Sequence, residues 1–245
     1  MIDYTNDYLL DKKVKIFQPV NGYRASTDAV LLSSLLNVKH HNENILDVGS
    51  GTGAISLCLS HRLQSFTPFI TGVEIQPELA ELSNLSAQAN CFNQTNFLNV
   101  DISQKKLPIS PVSFDHVITN PPYSLADMPS PNPSKSQAHN FQHLDLNTWI
   151  KFCLKMLKPF GWFYMINRAE AISEILTSLH KKSGNIKIIP IYSKQGQEAK
   201  RVMIMAQKDS KAPTSILSPF IVHQDDSQYT PEAQKILRKG LSFFS

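Results

Sequence analysis

The chain has 245 residues, 42% of them hydrophobic and 18% charged, with a formal net charge of +4 at neutral pH. That is enough apolar material for a sizeable core, in one large or two small domains. No run of about 18 apolar residues occurs, so no membrane-spanning helix is expected.

The opening Met1-Ile2-Asp3-Tyr4-Thr5-Asn6-Asp7-Tyr8 lacks the basic and apolar regions of a secretory signal, so a cytoplasmic protein is expected. Cys58, Cys91 and Cys153 are odd in number and widely spaced, which fits buried, reduced thiols and no Cys-x-x-Cys metal or redox site. The charge is unevenly placed. Residues 1–180 hold 13 Lys/Arg against 15 Asp/Glu, whereas residues 181–245 hold 11 against 5. A basic C-terminal third on a neutral body suits an anionic partner such as RNA, although a plain solvated surface would look the same.

In chain order, residues 1–25 read as irregular, with a turn at Gln18-Pro19-Val20-Asn21-Gly22-Tyr23. Ser26 or Thr27 can cap a helix over about 28–36, with Asp28 in its first turn. Ile45-Leu46-Asp47-Val48 is a short buried strand. It runs into Gly49-Ser50-Gly51-Thr52-Gly53 and a helix from Ala54 to about Gln64. A second strand covers 69–74 and ends in Glu74. Pro77 suits the first turn of the next helix, which continues over 78–90. A third strand at 96–100 is closed by Asp101, and a fourth at 114–119 by Thr119.

Beyond a proline- and serine-rich stretch at 125–137, a helix is expected at 144–157, a strand at 162–167 and a helix at 168–182. Two late strands, 186–192 and 202–207, form an antiparallel pair, and a short helix follows at about 230–239. Strand–helix alternation of this kind implies a mostly parallel sheet with helices on both faces. The fold class expected is α/β, a single domain on a mostly parallel seven-stranded sheet with a late antiparallel strand. No repeat or linker divides the chain, so residues 1–245 read as one domain. Within it, 1–44 would cover the ligand site, 45–123 bind a cofactor and 124–245 face the substrate.

Two constellations carry chemistry. The first is the glycine-rich turn. Glycines at 49, 51 and 53 let a ligand approach the backbone, since no Cβ intervenes. Gly49-x-Gly51-x-x-Ala54 also fits a loose dinucleotide fingerprint, a weak match by itself. Asp47 before the turn, Glu74 at the end of strand two and Asp101 at the end of strand three favour S-adenosylmethionine. Glu74 can accept both ribose hydroxyls, and Asp101 can reach the adenine amino group.

The second constellation is Asn120-Pro121-Pro122-Tyr123 at the end of strand four. Two prolines cannot continue a sheet interior and form a stiff corner. The Asn120 amide oxygen, the Pro121 carbonyl and the Tyr123 ring together suit gripping a planar group that bears an NH2. Both constellations lie on the strand-end edge where open α/β sheets bind ligands.

Residues 45–123 resemble the class I, Rossmann-like methyltransferases. The Asn120-Pro121-Pro122-Tyr123 corner resembles the motif of those that methylate a planar amine or amide. The upstream run Gln18-x-x-x-Gly22-Tyr23-Arg24-x-Ser26-x-Asp28-Ala29-x-Leu31-Leu32 resembles the bacterial tRNA adenine-N6 methyltransferases that act on valine tRNA beside the anticodon. The likeness spans roughly residues 8–240.

It implies S-adenosyl-L-methionine as cofactor, held by Asp47, Gly49, Gly51, Gly53, Glu74, Asp101 and Asn120. Tyr23 and Arg24 would lie at its methionine end, with Arg24 meeting the carboxylate. The implied catalytic residues are Asn120, Pro121, Pro122 and Tyr123, with the first two accepting the amine hydrogens and Tyr123 stacking on the base. The implied partner is tRNA, met by basic residues of 181–245, with no metal, no membrane and a monomer favoured. Guanine-N2 and release-factor glutamine methylation are the rival acceptors, and a non-catalytic RNA-binding protein is the rival class. His139 and His143 have helical spacing but no third ligand. His116, Trp149 and Trp162 read as packing residues.

Overall fold

The computed structural model describes residues 2–122 and 144–245. Tyr123, the proline-rich stretch, His139 and His143 lie outside the described residues.

The N-terminal segment is a β-hairpin, not irregular chain. β1 (Tyr4–Leu9) pairs antiparallel with β2 (Val14–Pro19), Leu9 opposite Val14 and Tyr4 opposite Pro19. Its turn carries no glycine. Instead Leu10, Asp11 and Lys12 all adopt left-handed φ, at 53°, 51° and 68°. Ordinary side chains in that region are uncommon, which is why the hairpin is invisible to turn chemistry. Leu10 is buried and helps hold the turn in place.

α1 (Thr27–Ser33) follows, and then the main sheet begins. β3 (Asn44–Val48), α2 (Ala54–Arg62), β4 (Phe69–Glu74), α3 (Pro77–Ala89), β5 (Thr95–Asn99) and β6 (Phe114–Thr119) match expectation to within a few residues. α4 (Leu146–Met156) is capped by Asp145, whose side chain accepts from Thr148 N at 2.6 Å. β7 (Leu157–Arg168) is longer than expected and takes in Pro159 and Gly161 at its outer end. A single 3-10 turn separates it from α5 (Ile172–Leu179). β8 (Ser183–Tyr192), β9 (Arg201–Lys208), the two-residue β10 (Ser215–Ile216) and β11 (Phe220–Ile221), and α6 (Pro231–Leu237) complete the chain.

The sheet order is β10-β8-β9-β7-β6-β3-β4-β5, with β11 also on β8. β9 runs antiparallel to both neighbours, and the other pairings are parallel. The seven expected strands are therefore present, with β9 as the antiparallel one. β10 and β11 are additions that cover the free edge of β8.

Side chains alternate between two cores. Ile45 and Ile118 join a cluster with α1, α2 and α6, while Leu46 and Val117 join one with α4 and α5. Helices thus cover both faces, as the near-continuous apolar strands require. Cys58 and Cys153 are buried, but Cys91 is exposed, contrary to expectation. From β3 the chain winds through β4 to β5 on one side, then crosses back to place β6 on the other. The crevice between the carboxyl ends of β3 and β6 is the topological switch point of the sheet.

Candidate active site

At that switch point lies a cavity of about 630 Å³. Its walls include Tyr23, Ser26, Asp28, Gly49, Gly51, Glu74, Ile75, Asp101, Ile102, Asn120, Pro121, Pro122 and Trp149.

The glycine turn forms the floor. Gly49 and Gly51 have φ of 70° and 54°. A Cβ on Gly49 would stand 2.9 Å from Trp149 Cζ2, and one on Gly51 2.6 Å from Tyr23 Cε1. Both positions therefore require glycine on conformation and on space. The turn is held from beneath, because Gly49 N and Ser50 N donate to Val73 O at 2.9 and 3.1 Å. Gly53 starts α2 in the left-handed conformation and packs toward Phe97, away from the cavity wall.

Three carboxylates converge on the wall. Glu74 is 5% exposed; its Oε2 accepts from Gly51 N at 2.8 Å and its Oε1 from Gln76 N at 2.9 Å. Burial raises its pKa, opposed by those backbone N–H groups. Asp101 Oδ1 accepts from Ser103 N at 2.9 Å and Ser103 Oγ at 2.6 Å. Asp28 is buried and ion-paired with Arg201.

Asp47 lies below the turn and is fully buried. Burial lifts its pKa to about 7, against the hydrogen bond that Ser56 donates to Oδ2 at 2.8 Å. The Tyr23 phenol is also raised, by burial and then by Asp47, Glu74 and Asp28. An acidic, half-enclosed site of this kind favours a ligand with hydroxyls and positive charge.

The fourth wall is the Asn-Pro-Pro corner. Asn120 Oδ1 is buried and has no hydrogen-bond partner among the described residues; the same holds for Asp47 Oδ1, Ser50 Oγ and Thr52 Oγ1. Buried acceptors are nearly always satisfied, so an orphaned amide oxygen in a cavity wall marks a place where a donor belongs. Among the described residues no group of three His, Cys, Asp or Glu is arranged to hold a metal ion.

Comparison with known proteins agrees with this geometry. Residues 39–208 match the family described as Methyltransferase domain. The chain is 30% identical over 227 residues to the tRNA1(Val) (adenine(37)-N6)-methyltransferase of Actinobacillus pleuropneumoniae, with 89% of each chain covered. The chain belongs to this methyltransferase family.

Among solved structures, a predicted O-methyltransferase from Agrobacterium tumefaciens superposes with a TM-score of 0.72 at 25% identity. That match covers 88% of this chain and 97% of the other. A putative class I S-adenosylmethionine-dependent methyltransferase from Listeria monocytogenes shares the fold, with a TM-score of 0.57 at 20% identity, covering 89% and 69% of the two chains.

The methyltransferase's sequence-predicted site is largely brought together. Tyr23, Gly49, Gly51, Glu74, Asp101, Asn120, Pro121 and Pro122 line one cavity, with Asp47 and Gly53 behind the turn. Arg24 is the exception and a correction. It is absent from the cavity lining, and its guanidinium is held by Asp7 at 2.6 Å, Thr5 Oγ1 at 3.0 Å and Pro19 O at 3.0 Å. The hairpin supplies all three partners, so Arg24 braces the segment carrying Tyr23 and does not face a ligand carboxylate.

Sequence reasoning missed two sets of lining residues. Ile75 and Ile102 directly follow Glu74 and Asp101, and the recurrence of an apolar residue after each strand-end acid could have flagged them as walls for a flat ring. Trp149 read as core, yet it is only partly buried and lines the cavity. His116 is a packing residue as expected, buried with Nε2 2.5 Å from Glu43 Oε2.

Proposed function

We propose that this methyltransferase moves the methyl group of S-adenosylmethionine to the exocyclic N6 of an adenine in tRNA. The observation that carries the reading is the orphaned Asn120 Oδ1, buried in the wall of the cavity that Glu74 and Asp101 also line. S-adenosylmethionine suits these residues. Glu74 would accept the ribose hydroxyls, Asp101 and the apolar Ile75 and Ile102 would hold the adenine, and Gly49 and Gly51 would admit the chain of the molecule. When bound, it supplies an electrophilic methyl group on a sulfonium.

The rest is done by the chain. An adenine amine is a weak nucleophile because its lone pair is delocalised into the ring. Asn120 Oδ1 and the Pro121 carbonyl each accept one N–H, which localises the lone pair and aims it across the cavity. The methyl group, lost from sulfur as it is gained by the nitrogen that Asn120 and Pro121 hold, would leave that amine with a surplus proton, which passes to water. No strong base is needed, and positioning supplies much of the rate. The target base enters unstacked, and Tyr123 provides the stacking face in this reading.

The cations of residues 181–245 do not share one face. Lys181, Lys182, Lys208 and Lys211 flank the paired ends Ser183 and Lys208, at the edge opposite the cavity. Arg201 is committed to Asp28. Lys235, Arg238 and Lys239 are exposed on and beside α6, against the hairpin turn. There Arg238 pairs with Asp11 at 3.2 Å and Lys13 Nζ donates to Lys239 O at 3.1 Å. With Lys12 and Lys13 they make a five-cation patch, and this patch is the face proposed for tRNA phosphates.

The test is incubation of the protein with labelled S-adenosylmethionine and, separately, valine tRNA or release factor, followed by mass analysis of digested nucleosides. N6-methyladenosine supports the reading. Label in N2-methylguanosine or in protein overturns it.

A further inference from the structure

Trp149 stands in an unusual place. It sits in the first turn of α4, where its backbone N–H donates to Asp145 O at 3.0 Å and Asp145 also caps the helix. Its indole lies on Gly49, so close that a Cβ there would be 2.9 Å from Cζ2. Its Nε1 donates to Thr119 Oγ1 at 2.9 Å, and that hydroxyl donates to Val48 O at 2.8 Å. Val48 and Thr119 are register partners on adjacent parallel strands. Val48 immediately precedes Gly49, and Thr119 immediately precedes Asn120. One side chain therefore touches the floor of the cofactor site and is hydrogen-bonded to the residue that launches the catalytic corner.

We propose that Trp149 is a positioning residue that sets the distance and angle between the glycine turn and Asn120, acting through Thr119. The proposal rests on Asn120 as the amine acceptor. Thr119 is fully buried, so its hydroxyl has no water to turn to. Its proton is committed to Val48 O, and the indole N–H fills an acceptor lone pair, which fixes the rotor. Both strand ends are thereby held by one donor chain, indole to hydroxyl to carbonyl. Methyl transfer needs the nucleophile and the methyl carbon within about 3–3.5 Å and in line. The nucleophile's holder is on one strand end and the methyl donor's floor is on the next. A wall that only packed would need an aromatic ring but no N–H; this wall commits its N–H to the catalytic strand.

The test separates packing from positioning. Trp149→Phe keeps a ring over Gly49 and loses the N–H. Thr119→Val keeps the volume and loses the hydroxyl, and Thr119→Ser restores the hydroxyl. Turnover, the KM for S-adenosylmethionine and thermal midpoints are measured for all three, for the Trp149→Phe/Thr119→Val double variant, and for Asn120→Ala in the same assay.

The expected result is a kcat lowered about 10- to 100-fold in Trp149→Phe and in Thr119→Val, with cofactor KM within about threefold. The double variant is no slower than the slower single, because both changes break the same chain. Thr119→Ser keeps most of the wild-type rate. Multiplicative loss in the double variant, loss confined to KM, or Thr119→Ser no better than Thr119→Val overturns the proposal. If Asn120→Ala is inactive while Trp149→Phe and Thr119→Val are normal, only this inference fails. If Asn120→Ala turns over normally, the reading of the corner fails and takes this inference with it.

Discussion

Glu74→Gln tests the carboxylate proposed to hold the cofactor's ribose. In the native chain the two oxygens of Glu74 each accept a backbone N–H, from Gly51 at 2.8 Å and Gln76 at 2.9 Å. A glutamine keeps one acceptor and replaces the other with an NH2. At one of the two sites a donor then faces a donor, in a position only 5% exposed. A hydrogen bond to a charged group contributes about 1.5–3 kcal/mol. The variant also loses one acceptor for the ribose hydroxyls, so the loss on binding should be of the same order. That converts to roughly ten- to hundredfold weaker affinity. Isothermal titration with S-adenosylhomocysteine measures it directly, and a parallel thermal melt separates local loosening of the glycine turn from unfolding. An unchanged Kd in a folded variant would refute the assignment of Glu74 to the ribose.

Asn120→Ala should bind S-adenosylhomocysteine within a few fold of wild type while losing nearly all methyl transfer to tRNA; retained transfer in a filter-binding assay would count against the corner's role. Glu43 is held at about 2 although burial pushes the other way, because His116 and the backbone N–H groups of Lys39 and His40 bond to its charged form. Its folded pKa lies below the ordinary 4.5, so its stabilisation is complete above that value and is lost as pH falls through about 2. Melting curves between pH 2 and 7, taken as a rough span around that window, should show a steeper acid decline in wild type than in Glu43→Gln. Replacing Lys12, Lys13 and Lys239 with serine should raise KM for full-length tRNA and flatten its salt dependence, by about one unit of slope for each phosphate the patch ceases to neutralise. The same variant should process a short anticodon stem-loop normally, and equal damage to both substrates would exclude the patch.

The parts of the site that a reader of sequence could find are those fixed locally. Asp47, Glu74, Asp101 and Asn120 each lie within two residues of a strand's carboxyl end, so their common edge follows from strand–helix alternation alone. The parts that stayed hidden depend on contacts between distant segments. Arg24 adjoins Tyr23, which faces the cavity, and adjacency suggested a shared task. Its true partner, Asp7, arrives only because the hairpin folds back, and the hairpin turns on Leu10, Asp11 and Lys12 with no glycine to announce it. Trp149 carries no sign of its bond to Thr119, 30 residues earlier. The two-residue strands β10 and β11 are too short for any periodicity.

The hairpin's outer edge is tied to α3. Asn90 bonds both the N–H and the carbonyl of Lys15, at 2.9 and 2.6 Å, and Ser86 Oγ accepts from Phe17 N at 2.9 Å. Its inner face grips Arg24 and, through Gln18, the amide of Ala25 at 2.7 Å. The opening residues thus act as a buckle: fastened to the helix behind Glu74, they press Tyr23 down onto the glycine turn. Anyone trimming this end to improve expression would keep every recognisable strand-end motif and still free the segment that sets Tyr23 against Gly51.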